Sequence, residues 1–114
     1  MSDYNPDRWL IVEIGDADPC YKILSSWYGG YVGADSWRFS SAIRFAYKVD
    51  EAFYTVTTDT VTTYNLRGCA YGASSLASSV LEGFFEGAAT ASIHIRELTE
   101  AEAIAKLETM KWAE

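Results

Sequence analysis

The longest strict alternation in this chain is the segment Ser36 to Val49, SWRFSSAIRFAYKV. Its odd positions are mostly large and apolar, and its even positions are small or cationic. Because successive side chains of a strand point to opposite faces, this pattern predicts a central strand with one face on the core. Fully extended, the segment would span about 45 Å, more than the roughly 35 Å diameter of a compact chain of this length. The strand must therefore bend, and Ser40-Ser41-Ala42 is the expected place.

Strand chemistry recurs on both sides of that segment, in short runs rich in β-branched and aromatic residues. The runs before it are Arg8 to Ile14 and Cys20 to Tyr28, and the runs after it are Ala52 to Thr58 and Thr60 to Leu66. Turn residues separate the runs, so the five strands are predicted to form an antiparallel meander. Further along, Ala89 to Arg96 (ATASIHIR) is a sixth strand candidate.

Helical periodicity begins after the threonine-rich strands. From Ser74 to Glu86, apolar residues recur every four positions, which predicts an amphipathic helix. Ser74 or Ser75 is the expected N-cap, and Gly87 is the expected end. Gly83 lies inside the helix, where glycine is unfavourable, so we expect it to permit a close approach to the sheet.

A second helix is predicted from Thr99 to Trp112. Thr99-x-x-Glu102 is a capping box, and an apolar stripe at helical spacing follows it. Together the elements predict an α+β fold, with an antiparallel sheet of five to six strands and both helices packed on one face. A chain of 114 residues suits one core, so residues 1–114 are expected to form a single domain.

Acidic residues outnumber basic ones by sixteen to nine, which gives a net charge of −7. This surplus disfavours direct nucleic-acid binding and membrane binding. Aromatic residues make up 15% of the chain, more than so small a core can enclose, so some rings are expected at the surface as contact residues. The expected partner is a protein or nucleoprotein complex with a basic surface, although solubility alone would also explain the charge. A homodimer is left open.

No stretch has the spacing of a catalytic or metal-binding motif. The acidic turn after the first strand lacks the distal glutamate of a calcium loop, and the glycine-rich segment 29–35 lacks the lysine of a phosphate loop. His94 is the single histidine and has no second ligand at metal spacing. We therefore expect no catalytic residue, no metal, no cofactor and no enzymatic activity. The remaining enzyme hypothesis is a small hydrolase using His94 with Ser25 or Ser26 and Asp35.

The N-terminal sequence MSDYNPDRW contains no apolar run preceded by basic residues. No stretch approaches the roughly eighteen consecutive apolar residues of a membrane span. The pattern predicts a protein without a signal peptide, located in the cytoplasm.

Residues 21–43 contain a hydrophobic strand, a GGY-x-G-x-D loop and the sequence SWR-x-SS-x-I. The matching positions are Gly29, Gly30, Tyr31, Gly33, Asp35, Ser36, Trp37, Arg38, Ser40, Ser41 and Ile43, with Ala42 where the pattern has glycine. In these residues the chain resembles small uncharacterised accessory proteins of bacteriophages and prophages, a class that includes anti-CRISPR proteins. The resemblance covers about a fifth of the chain. It implies a phage protein acting in the cytoplasm of a bacterial host, and no particular reaction.

The leading hypothesis is a small acidic phage-encoded protein that binds and inhibits a host defence complex, for example as an anti-CRISPR. Its expected contact residues lie in the glycine-rich segment and around the last helix: Tyr28, Tyr31, Asp35, Arg38, Glu97, Glu100 and Glu108. A structural explanation of the loop is an ordered corner, in which Asp35 accepts loop amides and Arg38 pairs with a carboxylate. The alternative function is a virion structural or assembly protein with a self-associating sheet edge.

Overall fold

The computed structural model describes residues 3–29, 35–50 and 53–110, apart from the side chains of Asp50, Phe53 and Cys69. Helices and strands are both present, which confirms the predicted α+β class. The strands are β1 (Asp3–Tyr4), β2 (Arg8–Ile14), β3 (Cys20–Trp27), β4 (Ser36–Phe39), β5 (Ile43–Asp50), β6 (Phe53–Thr58), β7 (Thr63–Arg67) and β8 (Ile95–Glu97). The helices are α1 (Ser75–Thr90) and α2 (Glu100–Thr109), and a short 3-10 helix covers Gly68–Ala70.

The strands form two four-stranded sheets rather than the single sheet that we predicted. Sheet A has the order β1-β7-β6-β5, and sheet B has the order β4-β3-β2-β8. Neighbouring strands are antiparallel, except that β1 and β7 are parallel. The predicted meander is therefore correct within β2-β3-β4 and within β5-β6-β7, and wrong in joining them into one sheet.

The prediction of one central strand over residues 36–49 is wrong. This segment forms two strands, β4 and β5, which lie at the edges of different sheets. Ser40 follows β4, and its amide still donates to the Ile23 carbonyl oxygen at 2.9 Å, but its side chain makes the other bond of this pair. The Ser40 hydroxyl accepts the Ile23 amide at 2.8 Å and donates to the Ser41 carbonyl oxygen at 2.7 Å. Serine hydroxyls can satisfy backbone groups in this way and divert a chain from its sheet. The predicted bend is thus confirmed, and it is where the chain passes from sheet B to sheet A.

Alternation within β5 also failed to predict which side chains are buried. Ile43 is buried, but the register shifts between Ile43 and Phe45. Ala46 is then buried opposite Val56, while Tyr47 is 64% exposed. An irregularity of one residue moves every later side chain to the other face of a strand.

Sheet B is apolar on both faces and lies in the middle of the molecule. One face contributes Trp9, Ile11 and Ile23 to the core shared with sheet A. The other face contributes Leu10, Val12 and Leu24 to a second core under α1. A continuous apolar run such as residues 9–12 is typical of a strand that is covered on both sides. Helix α1, sheet B and sheet A therefore form three layers.

Helix α1 confirms the predicted first helix but is longer than expected. Ser74 is its N-cap, and the Ser74 hydroxyl accepts the Ala77 amide at 3.2 Å. The helix continues past Gly87 to Thr90, so Gly87 does not end it. Gly83 is exposed, and a Cβ at this position would meet nothing within 4 Å. The predicted close approach at Gly83 is therefore wrong, because this residue faces away from the sheet.

Helix α2 begins with the predicted capping box. The Thr99 hydroxyl accepts the Glu102 amide at 3.2 Å, and the Glu102 carboxylate accepts the Thr99 amide at 2.9 Å. Leu107 is buried in the core shared by the two sheets. Beyond the helix, the Met110 carbonyl oxygen accepts the Ala46 amide at 2.9 Å. The end of α2 thus covers part of the edge strand β5.

Two other features of the predicted arrangement are wrong. The helices do not share one face, because α1 packs on sheet B and α2 packs against β5 and β2. The predicted strand Ala89 to Arg96 is reduced to β8, since Ala89 belongs to α1 and Ser92 has a φ of 59° in the turn that follows. β8 pairs with the end of β2, which places the residues after α1 beside the β2-β3 turn.

Candidate functional site

Carboxylates gather where the β2-β3 turn meets β8 and the start of α2. This acidic end consists of Glu13, Asp16, Asp18, Glu97, Glu100 and Glu102. Two contacts hold its segments together: β8 pairs with β2, and the Gly15 amide donates to the His94 carbonyl oxygen at 2.9 Å. The turn and the helix start therefore present their charges at the same end of sheet B.

Glu13 has polar contacts with three different side chains. Its Oε1 lies 3.1 Å from Nε2 of His94 and 3.4 Å from Nε of Arg96, and its Oε2 accepts the Tyr21 hydroxyl at 3.0 Å. The His94 contact, supported by Tyr21 and Arg96 against an opposing effect of burial, holds the pKa of Glu13 below its ordinary value. Glu13 is therefore an anion at neutral pH, although its side chain is only 18% exposed.

Arg96 connects Glu13 to α2. Its Nη1 lies 3.0 Å from each carboxylate oxygen of Glu102. The Thr99 amide, together with Arg96, lowers the pKa of Glu102. Glu13, Tyr21, Arg96, Glu102 and Lys106 line an open cavity of about 340 Å³. Two carboxylates and two cations line this cavity, so their formal charges cancel.

The predicted contact residues Glu97 and Glu100 lie together, and both are exposed. Burial, and to a smaller extent the charges of Glu97, Glu102 and Glu100, raises the pKa of Tyr71 to about 12. Glu108 is eight residues beyond Glu100 on α2, about 12 Å away. Its Oε2 lies 3.9 Å from Nζ of Lys48. The structure therefore groups Glu97 with Glu100 and separates Glu108 from them.

Tyr28 and Asp35 lie at the opposite end of sheet B, beyond the pairing of Arg8 with Ser26. Tyr28 is 52% exposed, and its amide donates to the Asp7 carboxylate at 2.8 Å. Asp35 accepts the Gly29 amide at 3.0 Å, so its predicted role as an acceptor of loop amides is confirmed. Tyr31 lies outside the described residues.

Arg38 does not pair with a carboxylate among the described residues, which corrects the prediction. Its Nε donates to the Tyr64 hydroxyl at 3.0 Å, and this bond raises its pKa. The guanidinium lies 4.5 Å from the ring centroid of Tyr4, which is itself stacked on Tyr64. Arg38 therefore connects β4 of sheet B to aromatic residues of sheet A.

Arg8 and Arg67, which no sequence pattern singled out, lie at the same end of sheet B as Tyr28. With Asp7, Tyr28 and Ala70, they line an open cavity of about 410 Å³. Arg8 begins β2 and Arg67 ends β7, so these two residues are far apart in sequence. Only the packing of sheet A on sheet B brings them together, and no local pattern could have linked them. Arg8, Arg38 and Arg67 are called the arginine end below.

The serine, histidine and aspartate of the hydrolase hypothesis are not brought together. His94 lies beside Glu13, whereas Ser25 pairs with Trp9, four positions earlier on β2 and about 13 Å away. Asp35 lies still farther from His94, because the next residue, Ser36, pairs with Trp27 near the other end of β3. The strand register therefore separates the three groups.

The described residues define a three-layer α+β protein with an acidic end and an arginine end. Among them, no three or more histidine, cysteine, aspartate or glutamate side chains are arranged to hold a metal ion. None of the helices in this part of the chain has the length and apolar character needed to cross a membrane. Comparison with protein-family models, with curated proteins and with solved structures finds no match.

Proposed function

We propose that this protein is a non-enzymatic binding protein whose acidic end docks on a basic surface of a partner protein or nucleoprotein complex. The narrower form of the proposal is a phage-encoded inhibitor of a host defence complex, such as an anti-CRISPR, acting in the bacterial cytoplasm. Carboxylates placed on a basic groove would compete with the nucleic acid that the groove binds. The observation that carries the proposal is the concentration of exposed carboxylates at one end of sheet B.

Asp18, Glu97 and Glu100 support the proposal because they are exposed and have no ion pair with any described residue. Glu97 is in β8 and Glu100 is in the first turn of α2, so backbone pairing and the capping box fix their positions. Charges that are already fixed lose little conformational freedom on binding. The acidic end therefore combines carboxylates without ion pairs and backbone positions that are defined in the folded state.

The test compares two charge reversals of equal size on the full chain. The first is Glu97→Lys with Glu100→Lys, and the matched control is Glu82→Lys with Glu86→Lys on the exposed face of α1. Immobilised protein is used to retain complexes from a bacterial host lysate. We expect the wild type and the α1 control to retain a nucleic-acid-binding complex that the acidic-end variant does not retain. Retention should fall as sodium chloride is added, because salt screens exposed charges.

The retained complex is then purified, and inhibition is measured as the displacement of nucleic acid from it. Wild-type protein should displace it and the acidic-end variant should not. Equal loss of retention in both variants would mean that only total charge matters, and the proposal would fail. Undiminished binding by the acidic-end variant would also refute it.

A second candidate, self-assembly in a virion, is favoured by the edge strand β5. Tyr47 and Val49 are exposed at 64% and 58%, and an open edge can pair with another chain. The Ala46 amide is already bonded to Met110, so among the described residues the uncovered part of this edge follows Ala46. Light scattering across protein concentrations tests this candidate. Assembly that Tyr47→Lys abolishes would support it, and a monomer at every concentration would reject it.

A further inference from the structure

Arg8 and Arg67 differ from the other described bases in what surrounds them. Three bases have a carboxylate within 4 Å: Arg44, Lys48 and Arg96. Three others lie over an aromatic ring: Lys22, Arg38 and Lys106. Arg8 and Arg67 have neither kind of partner among the described residues, in a chain with a net charge of −7. Two cations that make no ion pair with a described residue therefore share one cavity, which Asp7 also lines.

Neutral groups hold both guanidinium groups in place. Nη2 of Arg67 donates to the Asp7 carbonyl oxygen at 3.1 Å. Nη1 of Arg8 donates to the Tyr71 carbonyl oxygen at 3.2 Å, and its Nε donates to the Tyr28 hydroxyl at 3.2 Å. A guanidinium carries five N–H donors, so these bonds orient each group and leave other donors unused.

Gly72 provides the space that Arg8 occupies. Its φ is +135°, a conformation that side-chain-bearing residues rarely adopt, and a Cβ there would lie 3.2 Å from Nη1 of Arg8. The Gly72 amide also donates to the Trp9 carbonyl oxygen at 2.7 Å. The lack of a side chain at Gly72 thus leaves room for the Arg8 guanidinium.

We propose that Arg8 and Arg67 form a binding site for a phosphate monoester. The planar guanidinium matches the oxygens of a phosphate, and two of them offer more donors than a single carboxylate can use. The cavity of about 410 Å³ adjoins a second one of about 290 Å³, since Asp7 and Arg67 line both. Asn5 and Asn65 line the second cavity and offer amide groups to the organic part of the ligand.

Asp7 restricts which anions fit. Its carboxylate accepts the Tyr28 amide and makes no ion pair with either arginine, and Asp7 is a lining residue of both cavities. A ligand must therefore place its phosphate on the arginines and a hydrogen-bond donor, such as a hydroxyl or amine, toward Asp7. Nucleoside monophosphates and phosphoamino acids have this combination of groups. The site lies at the opposite end of sheet B from the acidic end and does not depend on the proposed docking function.

The experiment titrates the full isotope-labelled chain with inorganic phosphate, adenosine monophosphate and O-phosphoserine, followed by backbone amide NMR. Sodium chloride and sodium acetate at matched ionic strength are the controls. We expect saturable shifts of the Tyr28, Arg67 and Ala70 amides with the phosphates. Both monoesters should bind more tightly than inorganic phosphate, because they also reach the second cavity.

Substitutions of the two arginines test whether they bind the phosphate. Arg67→Gln and Arg8→Gln should each weaken binding by about tenfold or more, because each removes charge-assisted hydrogen bonds. Arg44→Gln is the matched control, because Arg44 has the same charge but lies 3.7 Å from Asp59, and it should bind as the wild type does. Arg67→Lys, which keeps the charge, should bind with intermediate affinity.

Three results would overturn the proposal. The first is a wild-type titration without saturable shifts, which does not depend on whether any variant folds. The second is acetate binding as tightly as the phosphates, because that would leave no phosphate specificity. The third is equal weakening by Arg44→Gln and Arg67→Gln, because only overall charge would then matter.

Discussion

The hydroxyl of Tyr71 lies 2.6 Å from the carbonyl oxygen of Leu98, to which it donates, and accepts the Ile11 amide at 3.2 Å. The Leu98 amide donates directly to the Ile11 carbonyl oxygen at 2.9 Å. The phenol thus completes the second half of a backbone pair between the end of β8 and β2. Its ring meets Trp9 edge-on, with ring centroids 4.8 Å apart.

Tyr71→Phe should lower the free energy of unfolding by about 1–3 kcal/mol at neutral pH. The substitution keeps the ring but leaves the Ile11 amide and the Leu98 carbonyl without this partner. Urea unfolding followed by circular dichroism measures the change. Tyr47→Phe is the control, because Tyr47 is 64% exposed, and it should have almost no effect. An unchanged midpoint for Tyr71→Phe would mean that the bridging hydroxyl contributes nothing.

The same pair should respond to alkaline pH. Burial raises the pKa of Tyr71 to about 12 from 10.0, so the folded state holds this proton more tightly than the unfolded state. Its contribution is complete below about pH 10 and is lost as pH rises toward 12. The stability difference between wild type and Tyr71→Phe should therefore shrink above about pH 10 in urea unfolding. A constant difference across that range would contradict the shifted pKa.

Gly83→Ala should raise the free energy of unfolding by about 1 kcal/mol, because alanine is the better helix former and the new Cβ would meet nothing within 4 Å. Gly72→Ala is the matched substitution with the opposite expectation. Gly72 has a positive φ, and a Cβ there would press on Arg8. Thermal unfolding of both variants measures the pair. Destabilisation by Gly83→Ala would show that the glycine has a role beyond the solvent-facing helix surface.

Ser25 and Ser26 are adjacent and buried but differ in hydrogen bonding. The Ser25 hydroxyl has no partner among the described residues, whereas the Ser26 hydroxyl accepts the Ser74 amide at 3.3 Å. Ser25→Ala should therefore raise stability by up to about 1 kcal/mol, and Ser26→Ala should lower it by about 1 kcal/mol. Urea midpoints of the two variants should lie on opposite sides of the wild-type midpoint. Equal losses would indicate that packing outweighs hydrogen bonding at both sites.

Glu13→Gln should destabilise the protein at neutral pH but not in acid. The contacts of Glu13 lower its pKa, so its contribution is present above about pH 4.5 and is lost as pH falls through the lower folded-state value. We expect a loss of about 1–2 kcal/mol at pH 7, since charged hydrogen bonds are affected. Urea unfolding from pH 7 down to about pH 3 should show the difference closing. Asp18→Asn, at an exposed position in the turn that follows β2, should show no such difference.

The sequence predicted local structure well where one local pattern decided it. The capping box at Thr99 and Glu102, the N-cap at Ser74 and the β2-β3 hairpin each depend on neighbouring residues and were all found as predicted. The division into two sheets was not predicted, because it depends on a hydroxyl of Ser40 bonding to Ile23, a residue from an earlier strand. An alternating pattern does not show where a strand changes sheets.

The candidate site was predicted only in part, for the same reason. Glu97 and Glu100 are close in sequence and lie at adjacent element ends, because Glu97 ends β8 and Glu100 begins α2. Arg38 was predicted to pair with a carboxylate, but the partners found among the described residues are Tyr4 and Tyr64 of the other sheet. Packing between layers also creates the environment of Arg8 and Arg67, and single-chain periodicity carries no information about it.

The two-sheet topology has a consequence for how the molecule folds and opens. Strands β2-β3-β4 and β5-β6-β7 each form from consecutive residues, so both meanders can form early with little loss of chain entropy. The short strands β1 and β8 pair with residues that are far away in sequence. β1 pairs with residues 63–64, and β8 pairs with residues 12–14. Amide hydrogen exchange should therefore be fastest in β1 and β8 and slowest in β2, β3 and β6. The acidic end is built on β8 and thus lies on a part of the fold that opens before its centre does.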